Sequence, residues 1–182
     1  MNRAYLVAII GALLWCGIKL LSWTLGVFTF GSTGPYVLAN MFLLTVTIAV
    51  GLFLLKRQEI NPGNFLMDIK KGVSCGMIYT LIVSAFIFLF YAKIHPGYND
   101  YQLQKSAEML DKSGSMEKIR AKNPELNSKS DKEIRGMLKQ QDQLIYSANF
   151  TFVISLLGLT MYSVFNSIFI SLIFRKLLFR DR

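Results

Sequence analysis

Acidic residues are absent from the long apolar stretches of this chain, and charge of either sign is scarce there. Charged residues make up 17% of the chain, against about 25% in an ordinary soluble domain. Between residues 4 and 55 the only charged residue is Lys19, and between residues 147 and 174 there is none. Long apolar runs separated by charged blocks are typical of membrane spans, which excludes a soluble globular domain.

Residues that carry catalysis or bind metals are also few. The single histidine, His95, excludes a site with several histidine ligands. Cys16 and Cys75 lie within separate apolar runs, where thiols pack as small hydrophobic groups. No glycine-rich phosphate loop, nucleophile elbow or paired-carboxylate motif occurs. The sequence therefore predicts a protein that is not an enzyme and that holds no metal or cofactor.

The apolar stretches predict four transmembrane helices. They cover about residues 4–28, 35–55, 72–94 and 147–174, and each reaches the length of about 20 residues that a bilayer crossing needs. A backbone in lipid must satisfy its own hydrogen bonds, so each span is expected to be helical. Pro35 follows a turn cluster and fits the first turn of the second helix. These features predict an all-α integral membrane protein.

The formal net charge of +9 is concentrated beside the ends of the spans. The cations at these ends are Arg3, Lys56, Arg57, Lys70, Lys71, Arg175, Lys176, Arg180 and Arg182. The first hairpin turn, on the other side, carries no charge. The positive-inside rule then places both termini in the cytoplasm. Because the cations lie beside span ends and not on one solvent-exposed face, they argue against nucleic acid as a partner.

A polar insertion separates the third and fourth spans. Residues 96–146 carry nine Lys and Arg against eight Asp and Glu, mixed with periodic apolar residues as in solvated helices. Three helices are predicted: about 99–112, from 115 to just before 123, and from 130 onward. Ser130 and Glu133 have the spacing of a capping box, and no breaker precedes the fourth span, so the third helix is expected to continue into it. The chain thus divides into spans one to three (1–95), a periplasmic helical insertion (96–146), and span four with a basic tail (147–182).

Small residues recur every four positions in the third and fourth spans. The members of these rows are Gly72, Gly76, Thr80 and Ser84 in span three, and Thr151, Ser155, Ser163 and Ser167 in span four. Such rows let two helix backbones approach closely in lipid. We interpret them as helix-packing faces, and the alternative is a polar path through the membrane. A further amphipathic stretch, at 65–69, predicts a short interfacial or partner-binding helix before span three.

Three polar residues are candidate contacts for a lipid or ligand: Lys19, Asn166 and His95. An ionisable group within a span is a functional candidate, and no acid lies inside a predicted span to pair with Lys19. Lys19 could snorkel, hydrogen-bond to carbonyls or hydroxyls, or contact an anionic headgroup. For Asn166 an interhelical hydrogen bond is the favoured interpretation. His95 lies among tyrosines of an interfacial aromatic belt.

Four segments resemble a known family. They are 65–76 (FLMDIKKGVSCG), 91–96 (YAKIHP), 104–119 (QKSAEMLDKSGSMEKI) and 168–176 (IFISLIFRK). The chain resembles a family of small four-helix inner-membrane proteins from Bacteroidetes, which is known only as a domain of unknown function. His95 stands where an asparagine is common in that family. The resemblance implies a bacterial inner-membrane location and supplies no activity or catalytic residues.

These patterns predict a non-enzymatic membrane subunit or accessory protein of a bacterial envelope complex. It would dock with other integral membrane proteins, or with copies of itself, through the small-residue faces and the insertion. The alternative hypothesis is a binder or carrier of a lipid or another small amphiphile, in which Lys19 contacts the headgroup.

Overall fold

The computed structural model describes residues 3–27, 33–58, 64–112 and 114–178, and every regular element within these ranges is helical. The α-helices are α1 (Arg3–Thr24), α2 (Thr33–Gln58), α3 (Phe65–Leu89), α4 (Gly97–Asp111), α5 (Ser115–Lys122), α6 (Asp131–Ile145) and α7 (Ala148–Ile173). Turns of π-helix follow α3 (Phe90–Ile94) and α7 (Phe174–Leu178), and a 3-10 turn follows α5 (Pro124–Leu126). Within the described ranges four helices are long and apolar enough to cross a membrane, which confirms the predicted all-α fold with four candidate spans.

The chain divides into two units. The bundle comprises Met1–Phe86 and Val153–Arg182, and the arm comprises Ile87–Phe152. Within the bundle, α1 runs antiparallel to α2 and parallel to α3. The thiol of Cys75 donates to the Ala4 carbonyl at 3.5 Å, near one end of α1. Trp15, further along α1, makes an edge-to-face ring contact with Phe86 at 6.0 Å between centroids.

A glycine ends the first helix. α1 stops at Thr24, four residues before the predicted end, because Gly26 adopts a positive φ of 69°. The Val27 N–H donates to the Ser22 carbonyl at 3.0 Å, and the Gly26 N–H donates to Trp23 at 3.1 Å. This pair of bonds is a Schellman motif, which needs a left-handed residue that glycine adopts readily. The residues of the predicted hairpin turn at 31–32 lie outside the described ranges.

The amphipathic stretch before span three does not form a separate helix. α3 is one continuous helix from Phe65 to Leu89, so the prediction of a short helix at 65–69 is wrong. Its start is capped locally, since the Asn64 side chain accepts from the Leu66 N–H at 2.7 Å. Consequently Asp68, within the stretch that was expected to precede span three, lies inside a candidate membrane span.

The arm is held together by polar contacts between its helices. Ser106 of α4 donates to Asp142 of α6, and Arg135 of α6 forms an ion pair with Asp111 of α4. Ile134 is the buried residue of α6. The predicted capping box at the start of α6 is confirmed: Glu133 N–H donates to Ser130 Oγ at 3.3 Å, and Ser130 N–H donates to Glu133 Oε2 at 2.8 Å.

The insertion and the fourth span are not one continuous helix, so that prediction is wrong. α6 ends at Ile145 and α7 begins at Ala148. Ser147 caps the new helix, because its hydroxyl accepts from the Phe150 N–H at 3.1 Å while donating to the Leu144 carbonyl at 2.7 Å. Serine competes with the helical backbone for hydrogen bonds in this way, and it thereby favours helix starts over helix interiors.

We expect the capping box to stabilise the arm in a pH-dependent manner. Hydrogen bonds from the backbone and side chain of Ser130 lower the pKa of Glu133. The stabilisation is therefore present above the unfolded-state pKa, about 4.3, and is lost as pH falls through the lower folded-state value. Glu133→Ala should lower the melting temperature of the detergent-solubilised protein at neutral pH.

The difference between Glu133→Ala and the parent protein should shrink when the pH falls below about 4. Gln140→Ala, an exposed change elsewhere on α6, is the control and should show no such pH dependence. A Glu133→Ala deficit that stays constant down to the lowest pH would contradict a contribution from the ionised carboxylate.

Candidate functional site

A buried ion cluster joins three helix ends at one end of the bundle. Asp68 Oδ2 lies 2.9 Å from Lys56 Nζ and 2.7 Å from Arg175 Nε. Lys56 lies in the last turn of α2, Asp68 in the first turn of α3, and Arg175 in the π-turn after α7. The side chains of Asp68, Lys56 and Arg175 are 0%, 7% and 33% exposed. The cluster thus combines one fully buried carboxylate with two cations, and its formal charge is +1.

The second oxygen of this carboxylate has a different environment. Asp68 Oδ1 is buried, and no described residue hydrogen-bonds to it. An aromatic ring also lies near Arg175, since its guanidinium carbon is 5.9 Å from the Phe65 centroid. The carboxylate and the ring together restrict the position of the guanidinium. A charged group of this kind at a span end can bind helices together or present a cation to the lipid surface.

The rows of small residues extend directly into the ion cluster. Asp68 precedes Gly72 by four residues, and Arg175 follows Ser171 by four. The same spacing relates Ile48, Leu52 and Lys56 on α2. The four-residue spacing is the signal that could have found Asp68 and Arg175. Because charge marks the ends of apolar spans, the predicted rows were limited to the apolar stretches and ended before both residues.

The structure brings the two predicted rows together at two levels. A Cβ atom built on Gly72 would lie 2.8 Å from Ser167 Oγ, and one built on Gly76 would lie 2.9 Å from Ser163 Cβ. These four residues, together with Thr80 and Ser84, are buried. The contact leaves no room for a polar path between α3 and α7 at these two glycines. At these four residues the predicted faces pack against each other within one chain.

The other members of the predicted rows have weaker roles in packing. Thr151 belongs to the arm, and its hydroxyl donates to the Ser147 carbonyl of the preceding turn at 3.0 Å. Ser155 is half-buried. Alanines form a third row that the sequence analysis missed. Ala4, Ala8 and Ala12 on α1 are fully buried, and they share the four-residue spacing.

Lys19 and Asn166 belong to the bundle and His95 to the arm, and each has contacts of its own. Lys19 is 4% exposed, and its Nζ lies 5.3 Å from the ring centroid of Trp15. Asn166 accepts from the Thr45 hydroxyl at 3.1 Å, linking α7 to α2. His95 belongs to the arm, where it follows the π-turn after α3. Each residue therefore has a local structural contact.

A groove lies between α4 and α6 of the arm. Its volume is about 240 Å³, and its lining residues are Leu103, Ala107, Leu110, Asp111, Arg135, Lys139, Asp142 and Gln143. Apolar side chains of α4 form one wall, and charges of both signs come mainly from α6. Sequence periodicity could not locate this groove, because its shape depends on how two separate helices pack.

Metal ligands do not gather in the part of the chain that the structure describes. No three histidine, cysteine, aspartate or glutamate residues lie close enough there to hold an ion. Cys16 and Cys75 are both buried free thiols.

Comparison with known proteins places this architecture in one family. The family model described as "Protein of unknown function (DUF4199)" matches residues 5–176, which is most of the chain. No curated protein and no solved structure matches. The resemblance to a domain of unknown function is therefore confirmed, while an origin in Bacteroidetes stays a prediction.

Proposed function

We propose that this chain, which belongs to the DUF4199 family, is a non-enzymatic subunit or accessory protein of a bacterial envelope complex. The bundle anchors it in the inner membrane and the arm binds a partner protein. The basic residues at the span ends support an orientation with both termini in the cytoplasm and the arm in the periplasm. The observation that carries the proposal is the groove between α4 and α6, an open concave surface outside the spans.

The surface of the bundle that a partner could contact is mostly apolar. Its small-residue rows are buried against one another, so close helix docking through them would require the bundle to open. The residues that α1, α2 and α7 expose are mostly large and apolar, including Leu13, Phe42 and Phe165. Such side chains are the expected lipid-facing surface of a span. Recognition by the arm is therefore favoured over recognition by the spans.

The size and chemistry of the groove fit a protein partner. Its volume of about 240 Å³ lies below the roughly 300–1,000 Å³ of sites that enclose small molecules. An apolar anchor side chain from another protein would fill it, as in the central pockets of protein interfaces. The rim carries Asp111 and Asp142 as well as Arg135 and Lys139, so both signs of charge are available to orient that partner.

A matched pair of substitutions tests this proposal. Ala107 lines the groove and is exposed, and Ala121 is exposed on α5 outside it. Ala107→Arg should fill the groove and reduce a co-purified partner at least roughly tenfold, the loss expected for an anchor worth 1.4 kcal/mol or more. Ala121→Arg adds the same side chain and should leave recovery unchanged.

The measurement is native co-purification from the source membrane in mild detergent, with the partner quantified relative to the chain. Equal recovery with both variants would show that the groove is not the docking surface. Recovery of a monomer alone, from the unmodified protein, would overturn the accessory-subunit proposal as a whole.

The hypothesis of a lipid carrier that uses Lys19 gains no support from the position of this residue. Lys19 is buried against Trp15, so a headgroup would have to displace a cation–π contact before reaching it. We therefore assign Lys19 to packing within the bundle.

A further inference from the structure

We propose that the end of the bundle at the ion cluster binds the phosphate of an anionic phospholipid headgroup. Arg175 is the contacting cation, and Asp68 and Phe65 are the residues that position it. This lipid site lies in the bundle and is separate from the groove of the arm, so it goes beyond the proposed docking function.

The first argument is the charge balance of the bundle. Among its described residues Asp68 is the only acid. The described cations at the same helix ends are Arg3, Lys56, Arg57, Lys70, Lys71, Arg175 and Lys176. Two of them already share one oxygen of Asp68. Excess positive charge in a partly buried position is unfavourable, and an anion supplied from the membrane would offset it.

The second argument is the preorganisation of Arg175. Its Nε donates to Asp68 Oδ2 at 2.7 Å, its guanidinium carbon lies 5.9 Å from the Phe65 ring centroid, and one third of the side chain remains exposed. A guanidinium is planar and matches the geometry of phosphate oxygens. Because the protein already orders this side chain, binding a phosphate would lose less conformational entropy than binding it with a mobile lysine.

The third argument is depth in the membrane. The candidate span that contains Arg175 ends two residues further along the chain, at Leu177. If this helix crosses the bilayer, the guanidinium lies near the end of its span and so near the headgroup layer. Leu177, in the same terminal turn as Arg175, is 77% exposed. A turn that carries both a cation and an exposed apolar side chain suits a lipid surface, and so favours a lipid phosphate over free phosphate.

The test compares the intact protein and three single variants in nanodiscs of equal phosphatidylglycerol and phosphatidylcholine. Native mass spectrometry then measures which lipid remains bound to the protein after the protein is released from the nanodisc. The parent protein should retain phosphatidylglycerol preferentially, and Arg175→Gln should reduce that preference roughly tenfold, the loss expected for a charge-assisted hydrogen bond. Lys176→Gln removes the same charge from the exposed neighbour and should have little effect. No lipid preference in the parent, or equal losses in the two variants, would overturn the site.

The third variant separates positioning from simple charge attraction. Phe65→Leu keeps every charge but removes the ring that holds the guanidinium, and it should weaken the preference for phosphatidylglycerol several-fold. An unchanged preference would overturn the positioning role. Inorganic phosphate, added in millimolar excess to the parent protein, should not displace the lipid. Displacement would show that the site takes free phosphate, which would overturn its assignment to a lipid.

Discussion

Gly76→Ala is expected to destabilise the bundle by about 2 kcal/mol, the usual effect of adding a methyl group to a tightly packed interior. The added Cβ would lie 2.9 Å from Ser163 Cβ and 3.1 Å from Ile48 Cδ1. Neither neighbour can retreat easily, since Ser163 and Ile48 are themselves buried. Unfolding in mixed micelles with an added denaturing detergent, followed by far-ultraviolet circular dichroism, would measure the change in free energy.

A second glycine provides the control for this experiment. Gly158 lies on the exposed side of α7, and a Cβ there would meet nothing within 4 Å. Gly158→Ala should be neutral or stabilising by up to about 1 kcal/mol, because alanine favours the helix. Ser163→Gly combined with Gly76→Ala should recover part of the lost stability, since it removes the nearest side chain. Equal effects of the two alanine substitutions would contradict the packing contact.

The spans could be predicted from sequence because lipid leaves few alternatives for an apolar chain. A stretch such as 147–174 must be helical if it crosses a bilayer, and α7 covers Ala148–Ile173. Helix ends depend instead on local chemistry. Gly26 and Ser147 each set a boundary through backbone hydrogen bonds that hydropathy does not register. The predicted continuous helix failed at Ser147 for this reason.

The candidate site could be predicted only in part. Glycine and serine are conspicuous within apolar runs, so the sequence predicts the small-residue rows on α3 and α7. The contact between Gly72 and Ser167 is seen only in the structure. The alanines of α1 did not stand out, because alanine is common in any apolar helix. Asp68 was missed because a charged residue was read as lying outside the span. A carboxylate in the first turn can remain buried when cations from neighbouring helix ends reach it.

The buried ion cluster sets the register of α7 along α3, which the packing of the small-residue rows alone does not. Rows that repeat every four residues would still match after α7 slid by four residues, about 6 Å, against α3. Such a slide would separate Arg175 from Asp68 and leave the carboxylate with one cation. The ion pair therefore distinguishes between packings that the small residues alone would leave similar in energy, which is the best-attested role of buried polar groups.

Asp68→Ala should consequently be the most damaging single substitution in the bundle, at about 3 kcal/mol or more. It removes the shared partner of Lys56 and Arg175, and Lys56 is too buried to be well solvated in its place. Asp100→Ala, an exposed change on α4, is the control and should alter the unfolding free energy by less than about 0.5 kcal/mol. Adding Lys56→Met to Asp68→Ala should restore part of the stability, since it removes one uncompensated buried charge. A double variant less stable than Asp68→Ala alone would show that Lys56 stabilises the bundle without the carboxylate, contrary to the arrangement described.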